Sequence, residues 1–138
     1  MEAIVNAKNL RISTKHSVEV CNLIRNKNVE KAKRLLSQVI EMESAVPYKK
    51  YLRDLPHKKG DMAAGRYPIK TCKEILKIIE SAEANAKNKG LSQNLIISHI
   101  SAHKAGKQMH YGRKLRTRMK NTHINLIVKE IQNKETKK

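Results

Sequence analysis

The sequence contains no tryptophan and no phenylalanine, and it has far fewer acidic than basic residues. Its 138 residues include 12 Asp or Glu against 30 Lys or Arg, so the formal net charge is +18. Such a charge opposes a compact fold unless a polyanion neutralises it. Membrane anchoring is disfavoured, because a long apolar span, a signal peptide and a lipidation motif are all missing along with the large aromatic rings. We therefore predict a soluble, intracellular protein that binds nucleic acid and has no membrane anchor.

Motifs for catalysis and metal binding are also missing. The chain has no P-loop, no GxGxxG and no GxSxG pattern, and its two cysteines, Cys21 and Cys72, lie far apart in apolar helical patterns. We predict that both are buried free thiols. His99 and His103 have the spacing of zinc ligands on a helix, but their segment has the pattern of a strand and no thiol or carboxylate is near. We predict that the protein is not an enzyme and binds neither metal nor cofactor.

Three segments have the periodicity and end signals of helices. Ser13 or Thr14 can cap a first helix through residues 16–26, and Asn28 can cap a second through residues 29–43. The third lies between Pro68, suited to a first turn, and Gly90, suited to a stop. In each segment apolar residues recur every three to four positions, so each helix is predicted to bury one face.

Two later segments change to the alternating pattern of strands. NLIISHIS (94–101) and THINLIVKE (122–130) are rich in β-branched residues, and LRIST (10–14) is predicted to add a short third strand. Residues 1–9 are predicted to form a poorly packed arm. The expected fold is therefore α+β, a single domain over residues 1–138 with three helices packed on a small antiparallel three-stranded sheet.

Two segments concentrate the basic residues. Residues 104–120, between the last two strands, hold seven Lys or Arg and no acid. This connection fits either a disordered loop or an extended basic hairpin, at about 102–121, whose residues meet a polar partner. Residues 44–66 are predicted to form a long basic loop in which Tyr48 and Tyr51 are interleaved with cations, a composition suited to unpaired bases and phosphates.

Residues 66–91 resemble the long helix of a universal ribosomal protein family, called L twenty-two in bacteria and L seventeen in eukaryotes. An aromatic-Pro-x-Lys start is represented by Tyr67, Pro68 and Lys70, and the helix closes in AEANA (82–86) before Gly90-Leu91. LRIS, KHSVEVCNLIRNKNVEKAKRLL, AVPYKKY, IISHISAHKAGK and GRKLRTRMKNTHINLIVKE resemble further family segments in the same order. The resemblance covers roughly residues 10–131, and the basic loop lies where the archaeal and eukaryotic branch carries an insertion.

The resemblance implies a structural constituent of the large ribosomal subunit, acting in translation in the cytoplasm after a nucleolar stage of assembly. Its implied partners are large-subunit ribosomal RNA, neighbouring large-subunit proteins and the nascent polypeptide, whose exit tunnel the hairpin lines. The predicted tunnel-lining residues are His110, Tyr111, Gly112 and Arg113. The predicted RNA-binding residues are Arg11, Lys15, His16, Lys49, Lys50, Tyr51, Arg53, Lys58, Lys59, Arg66, Lys104, Lys107, Arg113, Lys114, Arg116, Arg118, Lys120 and His123.

The sequence also departs from this family. The arm around residues 107–111 is shorter than in typical eukaryotic relatives and lacks their dense arginine run. Two other classes remain as alternatives. A free-standing basic nucleic-acid-binding module would share the charge but not the order of segments, and a small enzyme using His99 or His103 would need a pocket with a converging acid, base and nucleophile.

Overall fold

The computed structural model describes residues 1–59, 62–92, 94–114 and 116–130, with the side chain of Lys114 excepted. These residues form three helices and six strands, an α+β arrangement as predicted. The elements, in chain order, are β1 (Glu2–Leu10), α1 (Thr14–Ile24), α2 (Val29–Ile40), β2 (Val46–Pro47), β3 (His57–Lys58), β4 (Met62–Arg66), α3 (Ile69–Asn88), β5 (Leu95–Lys104), a 3₁₀ turn (Gly112–Lys114) and β6 (Thr122–Glu130).

The main sheet is antiparallel, with strand order β1-β6-β5. Along the central strand β6, the residues at 122, 124, 126 and 128 are buried while those at 123, 125 and 127 are half-buried. Because side chains alternate across a strand, one face of the sheet carries the core and the other faces outward. On the core face α3 packs against β1 and β6, α1 packs against β5, and α2 packs against α3.

The three predicted helices are all present, but two of them differ from their predicted bounds. Helix α1 covers Thr14–Ile24 rather than residues 16–26, and α2 ends at Ile40 rather than at residue 43. The Asn28 side chain accepts a hydrogen bond of 3.0 Å from the N–H of Glu30, while Ser13 and Pro68 occupy the N-cap positions of α1 and α3. After α3 the chain reverses at Gly90, whose φ of +72° is a left-handed conformation that glycine adopts readily. The predicted burial of Cys21 and Cys72 as free thiols is also confirmed.

The prediction of a poorly packed N-terminal arm is wrong. Residues 2–10 form β1, whose pairing with β6 runs from Glu2 opposite Lys129 to Ala7 opposite Ile124 and, after a shift of register, to Leu10 opposite Thr122. Its inward positions are small, with Ala3 fully buried, whereas Ile4 is 44% exposed on the outer face. The local pattern was therefore misleading, since the partner strand lies more than a hundred residues away. LRIST is not a separate strand, because β1 already ends at Leu10.

Residues 44–59 and 62–66 are more ordered than the predicted basic loop. They contain a second antiparallel sheet of strand order β2-β4-β3, in which Val46 pairs with Arg66 and His57 with Ala64. Strands of two residues are too short to produce a recognisable alternation, and Pro47 is a poor strand signal. This sheet adds Val46 and Ala64 to the hydrophobic core.

The connection between β5 and β6 doubles back on itself but is not a regular hairpin along its whole length. The continuous ladder ends where Lys104 pairs with Thr122. Beyond it, backbone N–H groups of Ala105, Met119 and His110 donate to the carbonyl groups of Asn121, Gln108 and Thr117, at 3.1, 2.7 and 2.9 Å. Within the described part of this connection, one isolated bridge pairs Met109 with Arg118. The long extended β-hairpin is therefore only partly present, as a bridged loop.

Candidate nucleic-acid interface

Three adjoining cavities follow the side of the molecule where β1, α1 and α3 meet the 104–121 connection. Their volumes are about 510, 340 and 490 Å³. The first and second share Ser13, His16 and Lys120, and the second and third share Arg11, Lys70 and Lys120. We call these three cavities together the basic groove.

The basic groove collects cations from five parts of the chain. Of the described residues that line it, none is acidic. Its basic side chains are those of Arg11, Lys15, His16, Lys70, Lys104, Lys107, His110, Arg118 and Lys120. Eight of these nine residues belong to the predicted RNA-binding or tunnel-lining sets, so tertiary structure brings together residues that are distant in sequence.

The N-terminal ends of α1 and α3 both open into the basic groove. Residues 13–16 line its first cavity and residues 68–71 its second. Neither helix has a side-chain cap hydrogen bond or an acidic residue in its first turn. Free backbone N–H groups and the helix dipole make such ends positive, so Lys15 and Lys70 add charge where a helix normally favours an anion.

Lys70 is the basic lining residue that sequence reasoning missed as a site residue. A signal was present, because a lysine in the first turn of a helix is electrostatically unfavourable for the isolated protein when that turn contains no acid. The concentration of cations becomes favourable when a polyanion occupies the groove.

The turn after β2 forms one wall of the groove. Tyr51 and Leu52 line the first cavity, and Lys50 Nζ lies 5.7 Å from the centre of the Tyr51 ring. Tyr48 is buried beneath this wall, and its hydroxyl hydrogen-bonds His16 Nδ1. This hydrogen bond holds Tyr48 against α1, the helix that carries His16, at the edge of the groove.

Burial shifts the ionisation of this pair. The pKa of His16 is lowered, first by desolvation and then by the positive charges of Lys120 and Arg66. Desolvation raises the pKa of Tyr48 to about 12. Near neutral pH the imidazole is therefore uncharged, and it contributes a hydrogen-bonding ring rather than a cation to the groove.

The remaining predicted residues lie around the groove or away from it. Lys49, Lys50 and Arg53 are exposed on the turn beside Tyr51. Lys58 and Lys59 are exposed at β3, where Lys58 Nζ lies 5.6 Å from the Tyr67 ring centre, and Arg66 is exposed at the end of β4. Arg113 and Arg116 are exposed in the 104–121 connection, whereas the side chain of Lys114 lies outside the described residues.

His123 is not brought to the basic groove. It lies on the outer face of the main sheet, where its Nδ1 accepts a hydrogen bond of 3.1 Å from the N–H of Asn9. With His103 it lines a separate cavity of about 290 Å³.

The predicted tunnel-lining residues form the far end of the connection. Tyr111 is 86% exposed, and it lines the third cavity together with His110 and Arg118. Gly112 has a φ of +67°, a left-handed conformation that starts the 3₁₀ turn. An exposed tyrosine in a cationic setting can stack on a base or line an aqueous channel.

The described part of the chain offers little support for a metal site, a membrane span or a reactive thiol. Within it, no three His, Cys, Asp or Glu side chains are grouped to hold a metal ion. None of the helices in the described ranges combines the length and the apolarity needed to cross a membrane. Burial raises the pKa of both thiols, Cys21 and Cys72, to about 12, which removes the reactive thiolate at neutral pH.

Fold and surface together define a basic α+β protein in which seven Lys or Arg side chains from distant parts of the chain line one concave surface. Comparison with known families is specific: residues 5–129 match the model of ribosomal protein L22p/L17e. The chain belongs to this family, and the predicted family resemblance is confirmed.

The similar curated proteins compared are archaeal and carry the name large ribosomal subunit protein uL22. The protein of Methanopyrus kandleri is 41% identical over 133 residues, which is 89% of this chain and 83% of that protein. That of Nanoarchaeum equitans is 45% identical over 90% of this chain and 76% of its own length. That of Archaeoglobus fulgidus is 46% identical over 67% of this chain, and the match spans 62% of its length.

Proposed function

We propose that this chain is a structural constituent of the large ribosomal subunit and binds large-subunit ribosomal RNA through the basic groove. The observation that carries the proposal is the groove itself: nine basic side chains and two helix N-termini face one concave surface whose described lining has no acid. Family membership supports the same conclusion, because the similar proteins are named as large-subunit proteins.

The binding free energy is proposed to come mainly from phosphate neutralisation. Each lysine or arginine that contacts a phosphate releases condensed counterions, so affinity falls as salt rises. If the seven cations of residues 104–120 all contact phosphates of irregular RNA, log K falls with log salt at a slope of about −5. Groove shape and phosphate contacts then position the protein, and little of the affinity comes from base readout.

The far end of the 104–121 connection is proposed to line the nascent-peptide exit tunnel. His110, Tyr111, Gly112 and Arg113 lie beyond the last β-bridge, at Met109 and Arg118, and Tyr111 is largely exposed. An exposed tip beyond a cation-rich stem suits a segment that passes through RNA and reaches an aqueous channel.

The wider assignment follows from the same proposal. Neighbouring large-subunit proteins and the nascent polypeptide are the remaining partners, and catalysis, cofactor and metal have no part in the role. The site of action is the cytoplasmic ribosome and, in a nucleated cell, the nucleolus during assembly.

A matched pair of lysine variants tests the groove. Lys120 belongs to all three cavities, whereas Lys31 is equally an exposed lysine but lies on α2 outside them. We expect Lys120→Ala to weaken binding to a transcript of the organism's large-subunit ribosomal RNA about four-fold at 0.15 M salt and to reduce the salt slope by about 0.7. Lys31→Ala should change neither quantity. Equal effects of the two substitutions would contradict the groove as the RNA site.

Sedimentation of a tagged copy from its own cells tests the assignment to the ribosome. After a high-salt wash, recovery with large subunits and polysomes is the expected result. Recovery only in light fractions would instead indicate a free-standing basic module. If the tagged copy sediments with subunits, a deletion of residues 108–116 should leave this recovery intact while changing the passage of nascent chains.

A further inference from the structure

A buried carboxylate lies behind the wall of the basic groove. Glu19 lies in the middle of α1 and is only 1% exposed, so an acidic residue occupies a position on the buried face of this helix. Among the described residues it has no ion-pair partner. Since a buried charge without compensation is strongly unfavourable, its contacts must explain why it is there.

Three consecutive backbone N–H groups compensate the charge of Glu19. Its Oε2 accepts from Lys49 at 3.1 Å, and its Oε1 accepts from Lys50 at 2.9 Å and Tyr51 at 2.7 Å. Successive N–H groups that converge on one anion form a nest, and hydrogen bonds to an ionised acceptor are among the strong ones. The carboxylate thus fixes the conformation of this turn.

The turn is held in a conformation that its own sequence disfavours. Leu52 follows directly with a φ of 56°, a left-handed value that is rare for a branched side chain. Such a residue persists where its surroundings over-determine the backbone. Glu19 supplies that constraint on one side, and Arg53 adds another, because its Nε donates to the carbonyl oxygen of Lys49 at 2.7 Å.

The turn places the Lys49 and Lys50 side chains and the Tyr51 ring beside the groove. While the N–H groups of residues 49–51 point inward at Glu19, the Lys49 and Lys50 side chains are exposed. Tyr51 lines the first cavity beside the lysines from α1 and from the 104–121 connection, with the Lys50 ammonium near its ring. The spacing of these side chains therefore depends on the backbone that Glu19 holds.

We propose that Glu19 is a positioning residue for RNA binding: its buried carboxylate orders the 49–53 turn so that Lys49, Lys50 and Arg53 reach the RNA that occupies the basic groove. This inference rests on the proposed function. Glu19 itself does not touch RNA, since it is buried and negatively charged. Because Glu19 orders the turn before RNA binds, the entropy cost of ordering it is not paid during binding, and the affinity for RNA is higher.

A double-mutant cycle tests the proposal, with Glu19→Gln as the central variant. Glutamine keeps the shape of the side chain but removes the charge. Its NH2 group takes the place of one carboxylate oxygen and, being a donor itself, cannot accept from the backbone N–H at that position. In the wild type, Lys50→Ala should weaken binding to the large-subunit RNA transcript about four-fold at 0.15 M salt. In the Glu19→Gln background the same substitution should have almost no further effect, because the turn is already displaced.

Lys120→Ala is the matched control for this cycle, since Lys120 lines the same cavity but belongs to the 104–121 connection rather than to the turn that Glu19 holds. It should weaken binding about four-fold in both backgrounds. A Lys50→Ala effect that is equally large with and without Glu19 would overturn the proposal. A wild-type protein that does not bind the transcript would instead overturn the proposed function, so the two failures are distinguishable.

Amide hydrogen exchange adds a measurement on the wild-type protein, which does not depend on how the variant folds. In the free wild-type protein the amides of Lys49, Lys50 and Tyr51 should be protected, and Glu19→Gln should speed their exchange while α3 amides keep theirs. Exchange of the three wild-type amides at the rate of an open loop would overturn the role of Glu19. A general loss of protection in the variant would show a fold defect, and the wild-type measurement would then decide the question.

Discussion

Truncation of Leu126 to alanine gives a sharp stability prediction for the main sheet. Leu126 is fully buried in the central strand β6, between Val5 of β1 and Ile100 of β5, and faces the helices. The substitution removes three carbon atoms, worth about 0.8 kcal/mol each in transfer from water. A strand clamped on both sides cannot collapse fully into the space, so a cavity term adds to this loss. We expect the free energy of unfolding to fall by about 3 to 4 kcal/mol.

The neighbouring residue supplies the control. Ile127 has an isomeric side chain, so Ile127→Ala removes the same atoms, but it lies half-buried on the outer face opposite Ile4. Without a closed cavity, its loss should be about 1 kcal/mol. Urea unfolding followed by circular dichroism, in salt sufficient to screen the net charge, measures both values. Losses of equal size would refute the assignment of the core to one face of the sheet.

Three further predictions concern ionisation, capping and thiol reactivity. The pKa of His16 is lowered in the folded protein, so unfolding takes up a proton at any pH between that lowered pKa and the ordinary value. The free energy of unfolding should therefore fall as the pH drops through this window. His16→Gln should flatten this part of the profile when urea unfolding is measured from about pH 5 to 8. Asn28→Ala removes the acceptor for the N–H of Glu30 and should cost about 1 kcal/mol of unfolding free energy, whereas Asn28→Ser should cost little. Cys21 and Cys72 should resist alkylation in the native protein and react on unfolding; rapid native labelling would contradict their burial.

The helices were predictable because their signals are local. In α3, Pro68 and Gly90 mark the ends and the apolar residues between them recur at helical spacing, so no knowledge of distant residues is needed. The same holds for Asn28 and α2. Strands β5 and β6 alternate clearly because one face of each is buried.

The first strand and the second sheet were not predictable in this way. β1 is stabilised by its pairing with β6, and its inward residues are small, so its own sequence carries a weak pattern. β2 and β3 are two residues each, and their existence depends on β4. In such short strands, hydrogen bonding to residues distant in sequence outweighs the intrinsic conformational preference of the strand's own residues.

The candidate site divides along the same line. The excess of cations, the acid-free segment before Glu130 and the order of family segments are properties of the sequence alone. They were enough to identify the family and to predict a polyanionic partner. Only the tertiary structure decided which cations share a surface: Lys15, Lys70 and Lys120 meet in the basic groove, while His123 lies on another face. Glu19 shows the physical reason most clearly. Net charge depends only on composition, so it can be read from the sequence. The role of the buried Glu19 carboxylate depends on the three backbone N–H groups that folding brings to it, and these are known only from the tertiary structure.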